Sequence, residues 1–310
     1  MNFMLFSTTV LIWGSTWIAI AVQVGDFPLI VSVFYRFAIA AVCFLPVLAL
    51  TGQLSFPALR HHPFIIAQAL CLFSMNFVLL YSAALYIPSG LIAIIFSLST
   101  IYNALNARLF FGESIAPRVL LASLLGLAGL AVIFLPDALG EIGDAAAPSD
   151  TFRGVLLAAG GTLLFSWGNM ASRRNATHGL PTASTNAWGM AYGALMLIVL
   201  IFATATPIMA PPDLTYTLAL LYLAIFGSII GFTTYLLLVV RVGSSRAAYA
   251  TVLFPIVAIT LSALFEGYQI TSTTIAGMLL ALAGNIVMFS KHKVKHSAAN
   301  RKYNASKKTA

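Results

Sequence analysis

The sequence predicts an all-α integral membrane protein: ten transmembrane helices arranged as two inverted five-helix repeats. Three observations lead there. Of the residues, 60% are hydrophobic and 8% charged, against roughly 25% charged in a soluble domain, and the mean hydropathy is +0.97. The apolar residues fall in runs of about 20, the length that spans a bilayer core. The chain also repeats itself. At a constant offset of 155, without a gap, Leu109, Gly112, Ile115, Leu124, Leu125, Gly129 and Phe134 meet Leu264, Gly267, Ile270, Leu279, Leu280, Gly284 and Phe289. Upstream, Ser89, Ala93, Leu98 and Ile101 meet Ser244, Ala248, Leu253 and Ile256. An internal duplication is the reading that explains this best.

Taken in order, the first helix covers about 4–22 and has neither a basic leader nor a cleavage site, so it reads as a retained helix. The second, about 28–50, is opened by Pro28. The apolar stretch from about 64 to 111 is too long for one crossing, and Pro88-Ser89-Gly90 turns it into helices three and four. The fifth covers about 117–135 and stops at Pro136. After a linker come helices six to ten, at about 153–172, 182–205, 215–239, 245–266 and 272–290. The organisation is a first repeat over 1–138, an external acidic linker over 139–152, a second repeat over 153–290 and a basic tail over 291–310.

Lys and Arg collect in cytoplasmic loops. Arg60, Arg108, Arg118, Arg173, Arg174, Arg241, Arg246 and the tail put fourteen of sixteen basic residues on one side. The other side takes Arg153 and seven of the eight acids, including Asp213 and Glu266, and Glu113 is the exception. Both termini are therefore expected in the cytoplasm, and the membrane is expected to be a bacterial inner membrane. Five helices per repeat is odd, so the second copy must insert upside down. The charges agree: Arg108 and Arg118 align with Ala263 and Thr273, while Glu266 stands beside Gly267. Inverted repeats are a mark of secondary transporters that hold substrate near the midplane.

Several short runs carry a family resemblance: Trp13-Gly14-Ser15, echoed by Trp167-Gly168-Asn169; Arg36-Phe37; and Phe111-Gly112-Glu113. On these the chain resembles the drug/metabolite transporter superfamily, of the ten-helix EamA type, over about 4–290; the aromatic cavity candidates named below make it look, within that superfamily, like an amino-acid exporter of the aromatic amino-acid type. It departs from the pattern at Glu266-Gly267-Tyr268, where the order is usually Gly-Glu. It departs again at Thr100, where the first copy lacks the proline found at Pro255. The resemblance implies a central cavity lined mainly by helices three, four, eight and nine, and export of amino acids, other metabolites or drugs by alternating access.

The chemistry is defined first by what the sequence lacks. It has no phosphate loop, no metal-spaced motif and no nucleophile set beside a base, so neither an ATP-driven pump nor an enzyme is indicated and no cofactor is expected. Cys43 and Cys71 sit in apolar segments and read as small hydrophobes. No acid lies mid-helix, which favours facilitated diffusion or exchange over ion coupling. Arg36 is the one charge well inside a helix. It fits a clamp on a substrate carboxylate or a structural arginine bonded to carbonyls at the cavity wall.

Trp13, Asn76, Tyr81, Ser99, Tyr102, Trp167, Trp188, Tyr235 and Tyr249 are the aromatic and polar residues expected, with Arg36, to bind substrate. Packing glue between helices is the other role open to the small polar ones, and an interfacial belt the one favoured for Trp17, Tyr86, Tyr192 and Tyr268. Pro88, Gly227, Gly231 and Pro255 are candidate hinges. The small residues of helices five and ten, Ala122, Gly126, Gly129, Gly277, Ala281 and Gly284, read as packing inside the bundle, with a dimer seam as the alternative. The expected partners are a small-molecule substrate and lipid, with no nucleic acid, for a monomer or weak dimer. The expected function is export of small organic solutes, amino acids first, with a proton-coupled multidrug or metabolite exporter as the alternative.

Overall fold

A computed structural model describes residues 2–115, 117–138, 148–235 and 249–289. Among them the chain is helical, with ten crossings. They are α1 (Asn2–Val22), α2 (Leu29–Leu50), α3 (Leu59–Ala83), α4 (Ser89–Phe111), α5 (Pro117–Ala138), α6 (Pro148–Thr177), α7 (Thr182–Ala203), α8 (Leu214–Tyr235), α9 (Tyr249–Phe265) and α10 (Ser272–Phe289). Seven are long and apolar enough to span a bilayer as they stand, and the apolar parts of α5, α9 and α10 are shorter. Helix α6 starts at Pro148, inside the stretch read as linker, while residues 139–147, 236–248 and the tail lie outside the described residues.

Three crossings are irregular. Helix α3 breaks at Phe73–Ser74, between the helices His62–Leu72 and Met75–Ala83. No Gly or Pro marks the break; the Phe73 carbonyl packs instead onto α7, where a Cβ on Gly193 would lie 2.5 Å from it. Helix α4 breaks at Leu98, between Ser89–Ser97 and Ser99–Phe111. There the side chains compete with the backbone ladder: Ser97 Oγ donates to Ile94 O at 2.7 Å and Thr100 Oγ1 to Asn285 Oδ1 of α10 at 2.6 Å. Helix α8 changes from α to π over Leu223–Ile230, with Ser228 Oγ donating to Leu223 O, five residues back, at 3.0 Å.

The two halves pack by exchange. Helix α1 lies on α9 and α8, and its counterpart α6 on α4 and α3; α2 meets α8 as α7 meets α3. The pairs α2–α7, α4–α9 and α5–α10 join counterparts directly. At the α5–α10 seam a Cβ on Gly129 would lie 2.5 Å from Gly277 O, and one on Gly284 2.8 Å from Ala122 O. Rising numbers in α5 thus meet falling numbers in α10, so the helices run antiparallel, as an inverted repeat requires. The small residues of both helices serve packing inside the bundle.

The bundle's ends are tied differently. Beside Ser89, where α4 begins, Glu266 from the end of α9 accepts from Ser89 N at 3.1 and 3.2 Å and from Ser89 Oγ at 2.5 Å. Pro88, the residue before the helix, has no side-chain oxygen to offer, so the carboxylate of another helix caps this N-terminus. In the α4–α5 loop Glu113 pairs with Arg173 of α6. The hydrogen bond from Arg173 holds the Glu113 carboxyl below its ordinary range.

Candidate functional site

A small cavity lies among α1, α2, α3, α4, α6, α8 and α9. Helix α1 presents Trp13, Thr16, Trp17 and Ile20 to it, positions three and four apart that share one helical face. Phe77 and Leu80 enter from α3, Phe96 from α4, Phe165 from α6 and Phe254 from α9. Helix α8 adds Gly227 and Phe232, and α2 adds Arg36. The volume is about 50 Å³, room for a few water molecules, whereas sites for small organic solutes hold roughly 300 Å³ or more. The cavity is contracted and its wall is more apolar than the sequence suggested.

Arg36 is the only charged residue in that wall and is 2% exposed. Its Nε donates to Ser228 Oγ at 3.1 Å. Its Cζ stands 4.3 Å from the Phe77 ring centroid and 5.3 Å from that of Phe37, and the Tyr81 hydroxyl is an electrostatic neighbour. Its NH1 is buried with no hydrogen-bond partner. Among the described residues no carboxylate pairs with Arg36.

Two glycines of α8 make this arrangement possible. A Cβ on Gly227 would lie 2.9 Å from Thr16 Cγ2 and 3.5 Å from Arg36 NH2. A Cβ on Gly231 would lie 2.6 Å from Trp13 Nε1. The wide π turns and the missing side chains let α8 approach α1 and α2 closely, and π segments of this kind recur at functional sites.

The structure brings some of the predicted residues together and leaves others apart. Trp13 and Arg36 line the cavity, and Tyr235 packs on Trp13 with ring centroids 4.9 Å apart. Tyr81 is fully buried behind Arg36 and donates to Gln23 Oε1 at 2.9 Å. Asn76 and Ser99 are buried off the cavity, and neither amide atom of Asn76 has a partner. Tyr102 is half-buried in α4. Trp167 is 39% exposed on α6, its Nε1 donating to Asn106 Oδ1 at 3.3 Å. Trp188, in the first turns of α7, donates to Ser55 O at 3.0 Å and is not among the residues of the cavity wall. The side chain of Tyr249 lies outside the described residues. Among the candidate hinges, Gly227 and Gly231 border the site, Pro88 stands before α4, and Pro255 sits inside a continuous α9.

Trp17 is a correction: a belt residue by its position in the sequence, it is 6% exposed and packs in the wall, 5.2 Å from Phe96 and 6.3 Å from Phe254 between ring centroids. The five cavity phenylalanines and Ser228 had not been singled out. One signal was available, because Phe77 and Phe232 are counterparts at the repeat offset.

Comparison with known proteins follows the same outline. The model of the EamA-like transporter family matches residues 2–135 and again 152–290. An uncharacterized transporter of Bacillus subtilis (strain 168), YoaV, is 28% identical over 92% of this chain and 96% of its own. An uncharacterized inner membrane transporter of Escherichia coli (strain K12), YedA, is 28% identical over 81% of this chain and 78% of its own. Protein PagO of Salmonella typhimurium is 26% identical over 87% and 86%. A crystal structure 21% identical in sequence shares the fold, with a TM-score of 0.66 over 92% of this chain and 95% of the other.

Proposed function

The chain belongs to the EamA-like transporter family, and on that premise we propose that it is a secondary transporter moving small organic solutes that carry a carboxylate on an apolar or aromatic body. Amino acids and their deaminated analogues share both features. The observation that carries the reading is Arg36: a buried guanidinium with an unpartnered NH1 in the wall of an otherwise aromatic cavity. A cation at this depth costs roughly 3 kcal/mol or more, and a bidentate carboxylate offsets that cost best. The rings of Trp13, Trp17 and Phe96 would stack on the body of the solute.

Transport is by alternating access. The contracted cavity supports an occluded state, and α3, α4, α8 and α9 rock about it, with Gly227 and Gly231 letting α8 slide. The described residues of the cavity wall include no carboxylate or histidine for an ion, which favours facilitated diffusion or exchange. The double family match supports repeats over 1–138 and 153–290, joined by the linker 139–152 and followed by the tail 291–310. The loop charges support cytoplasmic termini in a bacterial inner membrane, for a monomer or weak dimer in contact with lipid.

The test is counterflow of labelled aromatic and aliphatic carboxylates in proteoliposomes, with and without a pH gradient. Saturable flux that ignores the gradient and is abolished by Trp13→Ala is expected. Carboxylates that stay outside while a cationic dye moves down the gradient would overturn the proposal in favour of a proton-coupled drug exporter.

A further inference from the structure

We infer that the site selects for net charge and takes a monoanion, an apolar monocarboxylate without an ammonium group, in preference to the matching zwitterionic amino acid. The inference rests on the cavity being the substrate site. Its basis is a charge count. Among the described residues of the wall only Arg36 is charged, and none is a carboxylate. A bound monoanion leaves the cavity neutral, whereas a zwitterion leaves it with the guanidinium's charge uncompensated in apolar surroundings, which is unfavourable.

The remaining polar groups supply no negative charge for an ammonium. Thr16 Oγ1 donates to Trp13 O at 2.7 Å and offers only the lone pairs of a neutral hydroxyl. Ser228 Oγ accepts from Arg36 and donates to Leu223 O at 3.0 Å. Ring faces attract cations; Arg36 stands over that of Phe77, at 4.3 Å, and the other rings of the wall, those of Trp13 and Trp17 among them, carry no formal charge to offset the guanidinium. An ammonium on the carbon next to a carboxylate clamped by NH1 would be held close to that same guanidinium, like charge against like. The unpartnered NH1 thus asks for an anion, and no described residue of the wall carries a negative charge to match a cation.

The repeat does not double the charge. The counterpart of Arg36 at the repeat offset is Ala191. One ring of the wall is thus doubled by the repeat, Phe77 with Phe232, and the charge of the wall is single.

The experiment uses three trios that share a side chain and differ in head group. They are 3-phenylpropionate, phenylalanine and phenethylamine; indole-3-propionate, tryptophan and tryptamine; and 4-methylpentanoate, leucine and 3-methylbutylamine. Binding is read as the shift in thermal unfolding of the purified full chain in detergent, with counterflow in proteoliposomes beside it. In at least one trio the acid is expected to bind ten-fold or more tighter than the amino acid, with the amine not binding. Arg36→Gln should abolish that preference and Arg36→Lys should keep its order; the wild-type ranking alone decides the matter should either variant not fold. An amino acid that binds as tightly as its deaminated acid, or tighter, overturns the inference and leaves the transport reading standing. Binding and counterflow by none of the nine overturns both.

Discussion

A Cβ on Gly231 would fall 2.6 Å from Trp13 Nε1, and Trp13 lines the cavity of about 50 Å³. Gly231→Val should therefore push the indole into the place a solute needs. Transport is expected to fall by about two orders of magnitude, the scale of an ångström's misplacement, while expression holds; flux beside membrane yield measures both. Arg36 was legible in the sequence because a charge in an apolar run stands out. Its neighbours were not. Phenylalanine occurs 22 times in this chain and suits lipid and cavity alike, so composition alone cannot separate Phe77 from a lipid-facing ring. Trp17 was misread for a related reason: its distance along α1 suits a belt, and its burial follows from sharing Trp13's helical face. Within Trp13-Gly14-Ser15 and Trp167-Gly168-Asn169 the glycines keep one role, a close approach to Val257 and to Leu72, while the tryptophans have parted, one inside and one 39% exposed.

At the scale of elements, the ten crossings could be read from run length and turn residues, but their interruptions could not. The α4 break was partly announced by Ser97, Ser99 and Thr100, hydroxyls able to bond to the backbone. The α3 break at Phe73–Ser74 has no local cause; it depends on Gly193 across the interface. Proline was a poor guide here: α9 runs through Pro255, whereas α4, with Thr100 at that place, is broken. The Glu266 clasp on Ser89 joins these two helices. Hydrogen bonds to a charged acceptor contribute about 1.5–3 kcal/mol, so Glu266→Gln should shift the population toward states open at this end. With Cys43 and Cys71 replaced, Ile20→Cys reports on the cavity wall. Its rate of labelling by an impermeant maleimide should rise about ten-fold when Glu266→Gln is added, each ten-fold step corresponding to about 1.4 kcal/mol. An unchanged rate would show that the clasp does not hold this end shut.

For the whole molecule, the gapless offset revealed the duplication, and the exchange of charges between Arg108 and Glu266 revealed its inversion, both before any coordinate. The pairing of helices by exchange is what those two facts imply once the halves pack. The seam between α5 and α10 is where this symmetry bears on stability. Gly129→Val should lower the unfolding midpoint in detergent by an amount equivalent to about 1–3 kcal/mol, and Gly277→Val should match it. Gly25→Ala, with nothing within 4 Å of the added carbon, should leave it unchanged.

The seam is self-complementary in the way of a two-fold homodimer, where residue i meets j and j meets i, yet both partners belong to one chain. Each contact is made once by Gly129 on Gly277 and once, with the roles reversed, by Gly284 on Ala122. Neither half can drift alone. A larger residue on one helix could be accommodated only by a smaller one on the other, and at Gly277 there is no smaller residue to choose. The substitutions open to each half are thus set by the other half, and a gene carrying this duplication inherits the restriction at both places.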